Sequence, residues 1–167
     1  MVRHVERVEN WALWQEYTTS KRNMMHKPGH AVPRLDGKAN VSRLVNGERV
    51  IDPSINEYWL WHGTNAETAD IICKQGLDDR VASLGGLYGA GCYFADAFCK
   101  ANQYAEKPNA RGQHCVLFCR VLVGHAYCTD RHHQNERHPP LKHASDATQG
   151  FHDSIFAEIG VANGGSQ

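Results

Sequence analysis

The spacing of apolar and polar positions changes several times along this chain, and each change predicts an element. The opening stretch "RHVERVEN" reads as a short strand. From there the spacing turns helical: Trp11, Trp14 and Tyr17 or Thr18 recur on one face, and Asn10 before them offers a side-chain acceptor for the first orphan amides. This predicts a helix anchored to the core by its rings, with Glu16, Lys21 and Arg22 in water. Residues 27–53 are polar and carry Pro28, Pro33, Gly37, Gly47 and Pro53, so they predict a loop insertion. Within it, Asn46-Gly47 between two apolar-containing arms ("SRLVNGERVI") is a hairpin signal.

"YWLWHG" is a strand, with Tyr58, Leu60 and His62 on one face and Trp59 and Trp61 on the other. "NAETADIICKQG" predicts a short helix whose stripe is Ala66, Ala69, Ile72 and Cys73, stopped at Gly76. The Gly-rich "LDDRVASLGGLYGAG" must be a loop. "CYFA" predicts a short strand, and Asp96 a cap for a helix running to about Tyr104. "HCVLFCRVLVG" predicts the longest strand, covered on both faces because it is almost continuously apolar. Residues 126–147 are polar and His-rich, and "FHDSIFAEIG" predicts a last short element. Short strands with a few short helices define an α+β domain.

Length and charge narrow the class. A chain of 167 residues with 41% hydrophobic and 22% charged positions fits one globular domain spanning 1–167. Lys+Arg and Asp+Glu are 18 each, so nucleic acid is not indicated as a partner, phosphate neutralisation being what drives such binding. No apolar run reaches the roughly 20 residues of a membrane span, so no membrane partner is expected. The six cysteines contain no CxxC pair, which predicts reduced thiols and an intracellular setting, cytoplasm or nucleus.

The candidate chemistry gathers at three places. His62-Gly63-Thr64 ends one strand, Tyr93-Phe94-Ala95 follows a Gly-Ala-Gly turn, and Tyr104 comes eleven residues after Tyr93. Two tyrosines can sandwich a flat ring. A glycine lets a ligand approach backbone N–H and C=O groups, and His62 and Thr64 can hydrogen-bond hydroxyls. A flat amide-bearing ring joined to sugar hydroxyls describes nicotinamide riboside, one half of NAD. Elsewhere "CTDRHHQNERH" offers Cys128, His132, His133 and His138 as weak zinc candidates; no second ligand pair is placed to close such a site, so no metal is expected.

Taken together, "VERVENWALWQEY", "WLWHGTNAETADIICKQGLDDR", "LYGAGCYFADAFCKANQYA" and "VLFCRVLVG" resemble the catalytic domain of the poly(ADP-ribose) polymerases, the diphtheria-toxin-like ADP-ribosyltransferases, in that family's order. The spacing from "GLDDR" to "YGAGCYFAD" is most similar to the tankyrase branch. The resemblance implies the ADP-ribosyltransferase fold, two small mostly antiparallel sheets with short helices around an NAD cleft. It implies transfer of ADP-ribose from NAD+ to a protein, itself included, or another nucleophile, with release of nicotinamide. It assigns His62 and Tyr93 as catalytic. His62 would hold the adenosine ribose, Gly63 clamp the carboxamide and Thr64 touch ribose or phosphate. Tyr93 and Tyr104 would stack on nicotinamide, with Phe94 and Ala95 beside them and Asp78 near the adenine end. Residues 83–86 would belong to a loop over the donor site.

Two positions depart from that family's pattern. A serine that donates to the carboxamide usually stands where this chain has Ala101. The third motif residue is commonly a glutamate on a strand after the "DS" segment. Glu158 is the nearest candidate but falls too early, so the domain is expected to lack its last strands. These departures favour a rival reading, an NAD- or ADP-ribose-binding module without transferase activity. A zinc-organised interaction module is a third.

Overall fold

The computed structural model describes residues 2–27, 32–35, 50–143 and 150–157. Helix α1 (Trp11–Met25) begins where Asn10 holds an extended backbone and its side chain accepts from the Leu13 amide. The same Asn10 amide group donates to the carbonyls of Cys73 and Lys74 at 3.3 and 3.0 Å. It therefore caps one helix start and ties it to the end of another. Strand β1 (Val50–Asp52) leads through a 3₁₀ turn (Pro53–Ile55) into β2 (Glu57–Gly63). Helix α2 (Ala66–Gln75) starts under the Asn65 side chain and stops at Gly76, whose φ of 86° suits a residue without Cβ. Helix α3 (Phe98–Asn102) is a single short turn ahead of β3 (Val116–Leu122). A second 3₁₀ turn (Asp79–Val81) and strands β4 (Ala126–Thr129) and β5 (Ser154–Ala157) complete the described elements.

The strands form two small sheets. One is antiparallel in the order β1-β2-β3, with Trp61 opposite Phe118 and Gly63 opposite Val116. The other is the parallel pair β4-β5. The core lies where the sheets meet: Leu35 and Tyr58 are buried, and Val50, Leu60, Val123, Ala126, Cys128 and Phe156 pack on them. On the opposite face of β2, Trp61 sits between Phe118 and Phe98, with ring centroids 4.3 and 5.3 Å away. The expected alternation along "YWLWHG" therefore holds, and the architecture is α+β.

Several local expectations need correction. Residues 2–10 form no strand; Val2, Val5 and Val8 are exposed, and none of the described strands pairs with them. Trp11 is 71% exposed, whereas Tyr17 reaches the buried Glu57. Lys21 does not face water, since it pairs with Glu57 at 2.7 Å and Asp52 at 3.2 Å. "CYFA" contributes one bridge, Ala95 to Trp61, instead of a strand. The cap of α3 is Ala97, not Asp96, and the helix ends at Asn102, before Tyr104. Strand β3 is as long as β2, and its Phe118 is 46% exposed, so one face is only partly covered. Strand β4 arises inside the stretch read as polar loop, because pairing with β5 supplies the partners its own pattern does not announce. Most of the Asn46-Gly47 hairpin lies outside the described residues. Among the described residues no helix is long and apolar enough to cross a membrane.

Candidate functional site

The site is built on the open end of β2. The β2-β3 ladder carries His62 and Gly63 to its rim, and Trp61 is held there by reciprocal 2.8 Å hydrogen bonds with Ala95. That bridge brings the "YFA" segment alongside "HGT". The His62 Nδ1–H donates to the Tyr93 carbonyl at 2.8 Å, and the His62 ring lies 5.6 Å from that of Phe94. With Nδ1 donating, a neutral imidazole keeps Nε2 as an acceptor.

Gly63 meets α3 from the other side. A Cβ at this position would overlap the carbonyl of Ala101 and touch the Cβ of Tyr104, so glycine is what lets helix and strand end approach. Ala101 is buried at the contact, and its carbonyl accepts from the Tyr104 amide at 3.0 Å. Tyr104 follows as an exposed ring with the Lys100 ammonium 5.4 Å from its centroid.

Tyr93 is half-exposed, yet its hydroxyl is fixed. It accepts from the Tyr88 amide at 2.9 Å and donates to the Gly89 carbonyl at 2.8 Å. The Gly-rich loop therefore grips the tip of Tyr93 and leaves its ring partly open. Asp78 stands apart. Its carboxylate accepts from the Arg80 amide and guanidinium, and that pairing lowers its pKa to about 2. Burial and the negative fields of Asp79 and Asp78 push the Cys92 thiol up. Thr64 follows the strand, and the next residue, Asn65, caps α2 by accepting from Thr68 N–H at 2.8 Å. The backbone thus joins His62, Gly63, Tyr93, Phe94, Ala95 and Tyr104 around one strand end. Asp78 turns its carboxylate onto its own neighbour.

The weak zinc candidates do not converge. His132 packs edge-on to Tyr88, His133 against Tyr127 and His138 over Phe151, while Cys128 lies opposite Phe156 in the parallel pair. Ahead of β3, His114 uses Nδ1 on the Ala105 carbonyl. Among the described residues no group of three metal-ligating side chains gathers. Glu158 lies outside the described residues.

Residues at 131–136 were not legible as part of the site. The His133 amide donates to Leu87 O at 2.8 Å, that of Asn135 to Leu84 O at 3.0 Å, and that of Ala90 to Glu136 O at 2.8 Å. These are backbone contacts between distant segments, which side-chain periodicity does not report. The φ of 67° at Asn135 has only the weakest sequence signal, the tolerance of asparagine for left-handed backbone.

Residues 1–161 match the family described as "Poly(ADP-ribose) polymerase catalytic domain". Human protein mono-ADP-ribosyltransferase PARP12 is 34% identical over 124 residues, 74% of this chain and 14% of the relative. Human protein mono-ADP-ribosyltransferase PARP14 is 29% identical over 125 residues, 74% of this chain and 6% of the relative. A poly [ADP-ribose] polymerase tankyrase of Caenorhabditis elegans is 28% identical over 121 residues, 67% of this chain and 5% of the relative. A tankyrase stands among the relatives beside mono-ADP-ribosyltransferases, so these matches do not single out one branch. The chain spans at most 14% of the length of these three relatives.

Proposed function

This chain belongs to the poly(ADP-ribose) polymerase catalytic-domain family, and on that premise we propose that it binds NAD+ at the end of β2 and transfers its ADP-ribose to a protein nucleophile. The bond between nicotinamide and ribose C1 breaks, nicotinamide leaves with the bonding pair, and C1 bonds to the acceptor, whose proton is released. The observation that carries the reading is the meeting of Gly63, Tyr93 and Tyr104 at one strand end, with both tyrosine rings open to a flat ligand.

Each residue has a role consistent with its surroundings. Gly63 offers backbone N–H and C=O groups to a carboxamide. Tyr93, pinned at its hydroxyl, and Tyr104 offer aromatic faces that hold the leaving group flat, so little ordering is left for the transition state. His62, with Nδ1 committed to Tyr93 O, offers Nε2 to a ribose hydroxyl. Thr64 would offer its hydroxyl to the same sugar, and Asp78 would stand near the adenine end. The acceptor is a protein side chain, and PARP12 and PARP14, named as mono-ADP-ribosyltransferases, favour addition of single units. An intracellular setting accords with six cysteines that form no disulfide among the described residues.

Ala101 favours one second reading, an NAD- or ADP-ribose-binding module without transfer, because it offers no hydroxyl beside Gly63. Incubation with NAD+ labelled in both halves separates the two. Free nicotinamide together with label on protein supports transfer. Saturable binding without nicotinamide release supports the module, and absence of binding overturns both.

A further inference from the structure

We propose that Asn135 is a positioning residue of the donor site: the turn 133–136 latches the loop 84–90, and that loop fixes the ring of Tyr93. The proposal rests on the NAD-site reading above.

The loop has no regular structure of its own. Three backbone hydrogen bonds tie it to the turn, at Leu84, Leu87 and Ala90, of 2.8 to 3.0 Å, beside the edge-on contact of Tyr88 with His132. The approach is close as well as bonded. Gly89 has a φ of 84°, and a Cβ there would overlap the Glu136 carbonyl. The turn can present two amides and a carbonyl to one neighbour because Asn135 sits in the left-handed region, at φ 67°. Asparagine visits that region more readily than other residues bearing a Cβ, and β-branched residues visit it least.

The turn is itself anchored to β4. The buried Thr129 hydroxyl accepts from the Arg131 amide at 3.0 Å and lies 3.3 Å from His133 Nε2. On the far side, Tyr88 and Gly89 clamp the Tyr93 hydroxyl. A continuous line of contacts therefore runs from β4 through the turn and the loop to the tip of Tyr93. If the latch slips, Tyr93 loses its partners and regains rotamer freedom. A ring that must be ordered on binding gives weaker affinity than one already held.

The test compares Asn135→Val and Asn135→Gly in the full chain. The valine variant strains the turn and the glycine variant accepts its φ. Nicotinamide affinity is read by calorimetry, KM and kcat by nicotinamide release, and loop order by amide exchange at Ala90. Asn135→Val is expected to weaken nicotinamide about fivefold or more, raise KM more than it lowers kcat, and speed exchange at Ala90. Asn135→Gly is expected to keep wild-type values. Should the valine variant not fold, Asn135→Ala takes its place with a smaller change in the same direction. Wild-type affinity in the valine or alanine variant overturns the proposal, as does a glycine variant as weak as the valine one. A wild-type chain that binds no nicotinamide overturns the functional reading and this proposal with it, whereas normal wild-type binding that the variants leave unchanged overturns the positioning role alone.

Discussion

Gly63 does two jobs at one position. It lets α3 press its backbone against the end of β2, and it leaves a bare peptide at the rim of the site. Gly63→Ala would push a methyl into the Ala101 carbonyl, which belongs to backbone and cannot swing aside. A loss of about 2 kcal/mol is expected in chemical denaturation, in the range of overpacked positions; unchanged stability would mean that α3 is free to shift. Tyr93→Ala removes a stacking face, and nicotinamide affinity should fall at least about tenfold by calorimetry in a variant that still folds. Ala101→Ser restores a hydroxyl beside Gly63. A gain of a few-fold in nicotinamide affinity is expected, about the worth of one neutral hydrogen bond. An unchanged constant would show that another group already meets the carboxamide.

Helix α1 is held by charge as much as by its rings. Glu57, the first residue of β2, has no exposed side-chain surface and receives Lys21 at 2.7 Å, Arg120 at 2.6 Å and the Tyr17 hydroxyl. Arg120 in turn lies over the rings of Trp14, Tyr17 and Trp59 at 5.2 to 5.9 Å. Burial pushes the Glu57 carboxyl up, but hydrogen bonds from Lys21, Tyr17 and Arg120 outweigh it and leave its pKa below the usual value. For Lys21 the Glu57 hydrogen bond comes first and raises its pKa, against a smaller opposing effect of burial. The depressed carboxyl contributes stability that is present above 4.5 and lost as pH falls through its lower native value. The raised amine contributes below 10.5 and loses its share as pH climbs through its higher native value. Thermal melting should therefore weaken below about pH 4, and Glu57→Gln should flatten that limb. At neutral pH the same variant leaves Lys21 and Arg120 facing an uncharged amide, with an expected loss of about 3 kcal/mol. A stability within error of wild type would show that the cluster is incidental.

At the scale of the molecule, the two sheets are joined by a few groups that bridge distant segments. Asn56, in a left-handed turn before β2, donates to the carbonyls of Pro33 and Gly124. Asp153, just before β5, accepts from the His125 amide at 2.9 Å and from Lys27 at 2.7 Å. Burial acts to raise its pKa, and the Lys27 hydrogen bond with the other nearby donors more than offsets that. Gly124, at φ 63°, gives Asp153 the room to lie there. Asp153→Ala takes the acceptor from the His125 amide and the counter-charge from Lys27. Amide exchange in β5 should speed up and stability should fall by about 1–3 kcal/mol. Unchanged exchange in β5 would show that strand pairing alone holds it.

The α+β class, the face alternation of β2, the cap Asn10, the stop at Gly76, and the tandem of "HGT" with "YFA" were all legible from the sequence. They depend on spacing within one segment, and neighbours a few residues apart decide whether a strand alternates or a helix starts. The rest came from contacts between segments far apart in the chain. Nothing local distinguishes Lys21, which finds a buried carboxylate, from Glu16 on the same helix. Trp11 has the size of a core residue but no surface to pack on. The stretch "RHVERVEN" reads as a strand by itself, yet pairing needs a second chain segment beside it. Residues 126–129 became a strand because β5 lies alongside, and the turn at Asn135 joined the donor site through backbone groups that every residue type carries alike. Hydrogen bonds of that kind leave almost no mark on side-chain pattern, so only the folded chain could place them.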